Sequence, residues 1–318
     1  MSRQDDDEVD EAPHPRQTSV LFGHAAAETA LLAAYRAGRM PHGILITGPK
    51  GIGKATLAYR LARFILSHPD PAARSVQGAS SLQVESASPV TRRIAAQAQP
   101  DLLVIERTVN ERGVLRNQIA VDDLNRSGAN ALLKVLEEPP ERGLLVLIAH
   151  SSARVPPTLR SRCRIISLRP LAQEDVAAAL ASAAGSEADD GRIAAAAAAA
   201  DGSVARAMTL LDEDALTIRE QALEVLARLP AVDPADLHAL GDALAGTDPQ
   251  PLAAFLDTVN AWLSQRLERG RGDLARLDRL AEASEHINAA ARYAETYNLE
   301  RKPLIFNVFG LLAEATRG

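Results

Sequence analysis

The residues best suited to chemistry lie in a glycine-rich segment between a short apolar run and a helical pattern. Residues 44–46 predict a buried strand, and Leu57, Leu61 and Ile65 follow the helical period. Glycines let a ligand approach the backbone closely, and N–H groups at a helix N-terminus stabilise anionic phosphates. Lys54 would add a positive charge for the outer phosphates. We predict a nucleotide-phosphate site of nine residues: Gly48, Pro49, Lys50, Gly51, Ile52, Gly53, Lys54, Ala55 and Thr56.

One position departs from the phosphate-loop pattern G-x-x-x-x-G-K-[ST]. Ala55 stands where the pattern has a hydroxyl residue that would bind Mg²⁺, and Thr56 follows one place late. We expect ATP as the ligand, with Thr56 a doubtful Mg²⁺ contact. The alternative is a loop that keeps the shape and binds nothing. Ala55 argues more strongly against hydrolysis than against binding.

Length and composition limit the class of protein. A chain of 318 residues has room for two or three domains, and 47% hydrophobic with only 3% aromatic residues points to many helices. The single cysteine, Cys163, excludes a disulfide framework and a cysteine-rich zinc site, and it fits a reducing, cytoplasmic setting. No apolar run is long enough to span a membrane. A net charge of −6 argues against a protein that binds DNA over its whole surface, so any contact with DNA would be local or made through partners.

Further apolar runs indicate a parallel sheet with helices on both faces, which is an α/β fold. We predict strands at 102–105, 144–149 and 165–168. Residues 119–123 end in two acids, and they could form either an Mg²⁺-organising strand or a loop with a capping aspartate. A helix that begins near Asn125 should end at the acidic, proline-stopped segment 137–140.

Composition and pattern divide the chain into four regions. We predict a disordered acidic tail at 1–17, an α/β nucleotide-binding domain at 18–170, a small helical lid at 171–212 and an all-helical collar at 213–318.

Three motifs together carry a resemblance to a known family: the phosphate loop, the helix end at 132–140 and the triplet Ser161-Arg162-Cys163. With them, and with the C-terminal segment 297–312, the chain resembles the AAA+ clamp-loader subunits of bacterial DNA polymerase III over almost everything after residue 18. The resemblance implies a hetero-pentamer that opens the sliding clamp and places it on primed DNA. It also implies membership of a DNA-directed DNA polymerase (nucleotidyltransferase) holoenzyme, with the collar as the oligomerisation domain.

The resemblance also implies a role for Arg162. In that family the arginine of the triplet is a catalytic finger that points into the ATP site of a neighbouring subunit. Taken without the resemblance, Arg162 is better explained as a turn arginine paired with a surface acid.

The chain departs from this family in three ways. Ala55 lacks the hydroxyl group, and residues 70–99 contain none of the cysteines that form a zinc module in some members. The family also has a helix and a central acidic strand between the counterparts of segment 119–123 and Asn125. A parallel crossover needs about a dozen residues or more, so this unit has no room here. Either residues 115–121 replace the strand or the sheet has a gap.

Three hypotheses follow. The first is a structural, stator-like subunit that offers Arg162 to a neighbour and turns over little or no ATP itself. The second is an ATP-hydrolysing motor subunit or a free-standing AAA+ ATPase, and the third is a degenerate relative that binds neither nucleotide nor clamp loader. Because Ala55 and the missing acidic strand both weaken hydrolysis, we favour the first.

Overall fold

The computed structural model describes residues 14–105, 143–152, 155–184, 189–246, 248–269, 274–297 and 299–317. The described residues fall into two compact units, which meet in sequence between Ala207 and Met208. The predictions for 119–123, for the Asn125 helix and for 137–140 lie outside the described residues, as does most of the predicted tail. The division into nucleotide-binding, lid and collar domains stays a prediction.

The first unit contains a parallel sheet of three described strands in the order β2-β1-β3. They are β1 at Gly43–Thr47, β2 at Leu145–Ala149 and β3 at Arg164–Ser167. Ile44 of β1 lies opposite Val146 of β2 and Arg164 of β3. All of β1 is buried, so the side chains on both of its faces are covered, as in a central strand of a parallel sheet. The predicted parallel sheet is confirmed, together with its strands at 44–46, 144–149 and 165–168.

The strand predicted at 102–105 is wrong. These residues have no regular structure, and Leu103 and Val104 are 84% and 46% exposed. An apolar run forms a strand only where a neighbouring strand supplies hydrogen-bond partners, and residues 102–105 pair with none of the three described strands. Periodicity over four residues cannot detect this.

Eight helices are described in or at the end of the first unit. Their bounds are α1 Ala25–Arg36, α2 Lys54–Ser67, α3 Arg74–Gln77, α4 Pro89–Ala95, α5 Pro157–Arg160, α6 Gln173–Ala184, α7 Asp190–Ala199 and α8 Val204–Thr209. The core joins α1, β1 and α2 through side chains such as Leu31, Ile46 and Phe64. The polar segment 70–99 packs onto the unit through three buried side chains, those of Val76, Leu82 and Ile94.

The second unit is helical in all its described elements. The helices are α9 Glu213–Ala227, α10 Pro234–Ala243, α11 Pro249–Arg269, α12 Leu274–Thr296 and α13 Arg301–Thr316. Its core is built from aliphatic side chains around Phe255 and Phe309, whose ring centroids lie 6.0 Å apart. None of the helices in the described ranges of the chain combines the length and the apolar character that crossing a membrane requires.

Candidate functional site

The phosphate loop connects β1 to α2, as the sequence predicts. Gly48, Gly51 and Gly53 have φ angles of 145°, 78° and 96°, which L side chains rarely adopt. Gly53 is the N-cap of α2, which begins at Lys54. The first N–H groups of a helix have no acceptor within the helix, so they are available to an anion beside the loop. The local backbone therefore suits a phosphate group.

Lys54 is buried at the base of this loop, with 5% of its surface exposed. Its Nζ donates a hydrogen bond to the carbonyl of Pro49, within the same loop. Burial lowers the pKa of Lys54 from 10.5 to about 8, because the charged ammonium loses hydration. An anion at the loop would restore favourable electrostatics for the charged form.

The outer side of the loop is held by residues that precede and begin α8. The amide of Ala205 donates to the carbonyl of Gly51 at 3.3 Å. A Cβ at Gly51 would lie 2.3 Å from Ser203 Oγ, so only glycine allows this approach. Sequence reasoning missed this contact because it joins segments about 150 residues apart, and no local pattern marks it.

The segment before α1 is bound to the helix that carries the loop. The Arg60 guanidinium donates to the carbonyl of Ser19 at 2.6 Å, and Arg63 donates to the carbonyls of Thr18 at 2.8 Å and Arg16 at 2.5 Å. Desolvation, with a smaller contribution from Arg60, lowers the pKa of Arg63. Hydrogen bonds therefore tie residues 16–19 to α2.

His24 also supports the loop. Its Nε2 lies 2.7 Å from the carbonyl of Ile52, and because the carbonyl accepts, Nε2 must carry the proton. His24 is therefore placed to hold the loop's backbone.

Arg162 lies just after α5 and just before β3. It is exposed, and its Nη1 donates to the carbonyl of Thr158 at 3.0 Å. The neighbouring Cys163 has its pKa raised by burial, so its thiol stays protonated at neutral pH.

The phosphate loop and Arg162 lie at opposite ends of the sheet. Because β1 and β3 are parallel, with Ile44 opposite Arg164, the end of β3 that follows Arg162 is the end of β1 farthest from Gly48. The four residues from Ile44 to Gly48 advance about 13 Å along the strand. The backbone of Arg162 therefore lies about 13 Å or more along the strand direction from the loop of its own chain.

The metal-binding part of a nucleotide site is incomplete in the described residues. Ala55 has no oxygen to offer, and Thr56 lies about 100° farther around α2, since a helix turns once every 3.6 residues. The described residues contain no group of three or more His, Cys, Asp or Glu side chains that could hold a metal ion. The loop thus fits phosphates, while the pattern's Mg²⁺ ligand is missing at its own position.

The chain is similar in sequence to subunits of DNA polymerase III. The family model described as "DNA polymerase III, delta subunit" matches residues 119–172. The DNA polymerase III subunit delta' of Escherichia coli is 30% identical over 255 residues, which is 76% of this chain and 74% of that protein. The corresponding subunit of Pseudomonas aeruginosa is 31% identical over 38% of this chain and 41% of its own length.

A more distant relative and a solved structure were also found. Subunit tau of E. coli DNA polymerase III is 27% identical over 94% of this chain and 43% of its own length. The Thermotoga maritima RuvB Holliday junction branch migration motor aligns over 95% of this chain and 92% of its own, with 18% identity and a TM-score of 0.38. A TM-score of 0.38 is too low to assign the fold of that protein to this chain.

Proposed function

The chain belongs to the DNA polymerase III delta' family, and on that premise we propose that it is a clamp-loader subunit whose Arg162 acts at the ATP site of a neighbouring subunit. Membership of this family supports a role in DNA replication within a complex of several subunits. The subunit would then help to load the sliding clamp onto primed DNA, with its nine loop residues, Gly48 to Thr56, as a phosphate cradle of its own.

The observation that carries this proposal is the placement of Arg162 at the far end of the sheet from the loop. An exposed arginine that cannot serve the nucleotide of its own chain could serve one bound elsewhere. A guanidinium offered in this way stabilises charge on a transferring phosphoryl group, and in GTPases it is worth about 10³–10⁵ in rate. The backbone from which the side chain extends enters β3 two residues later, at Arg164.

The phosphate loop of this chain suits ATP binding better than ATP hydrolysis. The backbone of Gly48–Gly53 and the Lys54 ammonium would bind the phosphates, but Ala55 cannot position Mg²⁺. ATP binding without appreciable turnover follows from this combination.

The test uses the clamp loader reconstituted with the other subunits. Arg162→Ala should leave assembly intact and strongly reduce DNA-dependent ATP hydrolysis, because one ATP site loses its finger. Arg164→Ala, an exposed arginine two residues farther along, is the matched control and should retain activity. Unchanged hydrolysis in the Arg162 variant would refute the finger.

The intact loop and the buried Lys54 favour a second candidate, an ATP-hydrolysing motor subunit or free-standing ATPase. Mg²⁺-dependent turnover by the purified chain alone, abolished by Lys54→Ala, would establish it. The absence of such turnover would exclude it.

A further inference from the structure

His24 reaches from the start of α1 to the phosphate loop. Its Nε2 donates a hydrogen bond of 2.7 Å to the carbonyl of Ile52, the residue between Gly51 and Gly53. The edge of the ring, at Cδ2, lies 4.0 Å from the place that a Cβ of Gly53 would take. His24 thus contacts the loop where the loop becomes α2, which begins at Lys54.

The backbone of His24 has a conformation that residues with a side chain rarely adopt. Its φ of 58° and ψ of 17° lie in the left-handed region, and Gly23 before it has a φ of 62°. A Cβ at Gly23 would lie 2.3 Å from Leu171 Cδ2, so the turn packs closely against that side chain. A residue other than glycine keeps left-handed angles where its surroundings determine them, and such residues concentrate at functional sites.

The hydrogen bond from His24 also determines the direction of the next amide. In a trans peptide the C=O and N–H groups point in opposite directions, and the bond between Ile52 and Gly53 is not among the cis bonds of the described residues. Because the Ile52 carbonyl points toward His24, the Gly53 N–H points away from it. No described residue accepts a hydrogen bond from this N–H. At the start of α2, it is a donor that an anionic phosphate would use.

A second donor from outside the loop acts on the preceding peptide. The Ala205 amide donates to the Gly51 carbonyl at 3.3 Å, so the N–H of Ile52 points away from Ala205 in the same way. Two successive carbonyls of the loop therefore have partners outside it, while the N–H groups that follow them have no acceptor among the described residues. Donors that are held in place before a ligand arrives do not have to be ordered when it binds.

Helix α1 is fixed against α2 one turn after His24. The carboxylate of Glu28 accepts a hydrogen bond of 2.6 Å from Arg60 Nε of α2, and both side chains are largely buried. The N–H of Glu28 donates to the His24 carbonyl at 3.1 Å, which closes the first turn of α1. A buried ion pair thus determines where His24 lies relative to α2.

We propose that His24 is a positioning residue of the phosphate site, whose N–H holds the Ile52 carbonyl and thereby directs the Gly53 N–H to a bound phosphate. The inference rests on the proposed binding of nucleotide phosphates at the loop. It adds to that site a residue from outside the phosphate-loop pattern. The role requires one N–H donor at the position of Nε2, so glutamine should replace histidine, whereas asparagine, with a shorter side chain, should not.

The first test measures binding of ATP and of inorganic tripolyphosphate to the purified full-length chain by calorimetry. Asparagine tolerates left-handed angles but cannot reach Ile52, so His24→Asn should bind both ligands about threefold to tenfold more weakly. His24→Gln keeps the donor and should stay within about twofold of the unaltered chain. His42→Asn is the matched control, because His42 is exposed and precedes β1, at the end of the strand opposite the loop. It should leave both affinities unchanged.

The second test observes the Gly53 amide directly by NMR. Ile52 and Gly53 form the only Ile-Gly pair in the sequence. Isoleucine labelled at the carbonyl carbon, combined with glycine labelled at nitrogen, therefore isolates this one N–H signal. Saturating tripolyphosphate should move its proton to lower field in the unaltered chain and in His24→Gln, because a hydrogen bond to an anion forms. In His24→Asn the movement should be smaller.

The outcomes separate this inference from the proposed function. Equal affinities of the unaltered chain and His24→Asn for tripolyphosphate, or a Gly53 signal that does not move, overturn the positioning role and leave the role of Arg162 standing. A loss confined to ATP would make His24 a contact to the nucleoside, which also overturns it. If the unaltered chain binds neither ligand, the phosphate site falls with this inference, and the Arg162 assay in the clamp loader still stands. Should His24→Asn fail to fold, an unmoved Gly53 signal in His24→Gln would overturn the inference.

Discussion

The amide of Ala205 donates a hydrogen bond of 3.3 Å to the carbonyl of Gly51, which fastens the phosphate loop to the first turn of α8. Because the bond uses a carbonyl of the loop, it consumes none of the N–H donors that a phosphate would need. This hydrogen bond can therefore hold the loop while its N–H groups stay available to a phosphate. At Gly51, both the φ angle of the backbone and the space beside the Cα favour glycine over any other residue.

Gly51→Ala should lower the free energy of unfolding of the first unit by about 2–4 kcal/mol. About 1–2 kcal/mol comes from a side chain at a φ of 78°, and the rest from overpacking against Ser203, whose Oγ would lie 2.3 Å from the new Cβ. Urea denaturation followed by circular dichroism measures the change. Gly38→Ala is the matched control, because Gly38 has a φ of 60° and nothing within 4 Å. Equal losses in the two variants would show that Ser203 does not restrict the loop.

The parts of the site that follow from sequence are local. The apolar run at 44–46, the glycines and the period of α2 predict the strand, the turn and the helix correctly. The contact between Gly51 and Ala205 depends on how distant segments pack, and no spacing predicts it. The run at 102–105 does not form a strand, and this too depends on the rest of the chain, because a strand needs hydrogen-bond partners on a neighbouring strand.

The burial of Arg60 and Arg63 could not be predicted from the sequence either. Arg60 and Arg63 lie on α2 between apolar residues, and an amphipathic pattern alone would place arginines toward solvent. The structure instead buries both, because the carbonyls of residues before α1 accept their hydrogen bonds. An arginine's acceptors come from elsewhere in the chain, so its burial cannot be predicted from its own helix.

Lys54 predicts the pH dependence of nucleotide binding. An anion favours the charged ammonium, and the pKa of Lys54 in the free protein is about 8. Affinity for ATP, measured by calorimetry without Mg²⁺, should be constant between about pH 7 and pH 8 and then fall by up to about tenfold per pH unit. The ligand's own phosphate groups complete their ionisation at lower pH, so they do not cause this fall.

Two variants check this assignment. Lys54→Met should bind ATP weakly and without the fall above pH 8, whereas Lys50→Met, at an exposed loop lysine, should keep it. Stability provides a second readout with a defined sign. The unfolded chain binds more protons between pH 8 and pH 10.5, so the contribution of Lys54 should stabilise the fold as pH rises through this window. A fall that persists in Lys54→Met would assign the titration to another group.

The ion pair between Arg60 and Glu28 should be strongly cooperative. Its N–O distance is 2.6 Å, and the two side chains are 8% and 14% exposed. The same Glu28 oxygen accepts from the amide of Leu82 at 2.8 Å, so the pair also ties in the polar segment 70–99. Arg60→Met should destabilise the first unit by about 3–5 kcal/mol, because it leaves a buried carboxylate unpaired.

A double-mutant cycle with Glu28→Gln measures this coupling by urea denaturation. The double variant should be more stable than the sum of the single losses implies, since neither charge is then left alone. Simple additivity would mean that the two groups interact weakly despite their distance. Arg74→Met, an exposed arginine of the same unit, should change stability by less than about 0.5 kcal/mol.

In the second unit, the amides of Asn260 on α11 and Asn288 on α12 bind each other. Asn288 Nδ2 donates to Asn260 Oδ1 at 3.0 Å, and Asn260 Nδ2 donates back at 3.3 Å. Asn288 also donates to the carbonyl of Ser284 at 2.7 Å. Reciprocal bonds between part-buried amides at one level of two helices favour a single register of α11 against α12.

Asn260→Leu should therefore cost about 1–3 kcal/mol in the urea unfolding of the second unit, because the Asn288 amide loses its cross-helix partner. Asn260→Leu with Asn288→Leu should recover part of this loss, since two apolar side chains leave no unsatisfied group between the helices. Asn307→Ala, at an exposed asparagine, should have little effect. If the double variant were less stable than Asn260→Leu alone, the Asn288 side chain would have to stabilise the unit in some way other than its hydrogen bonds to Asn260.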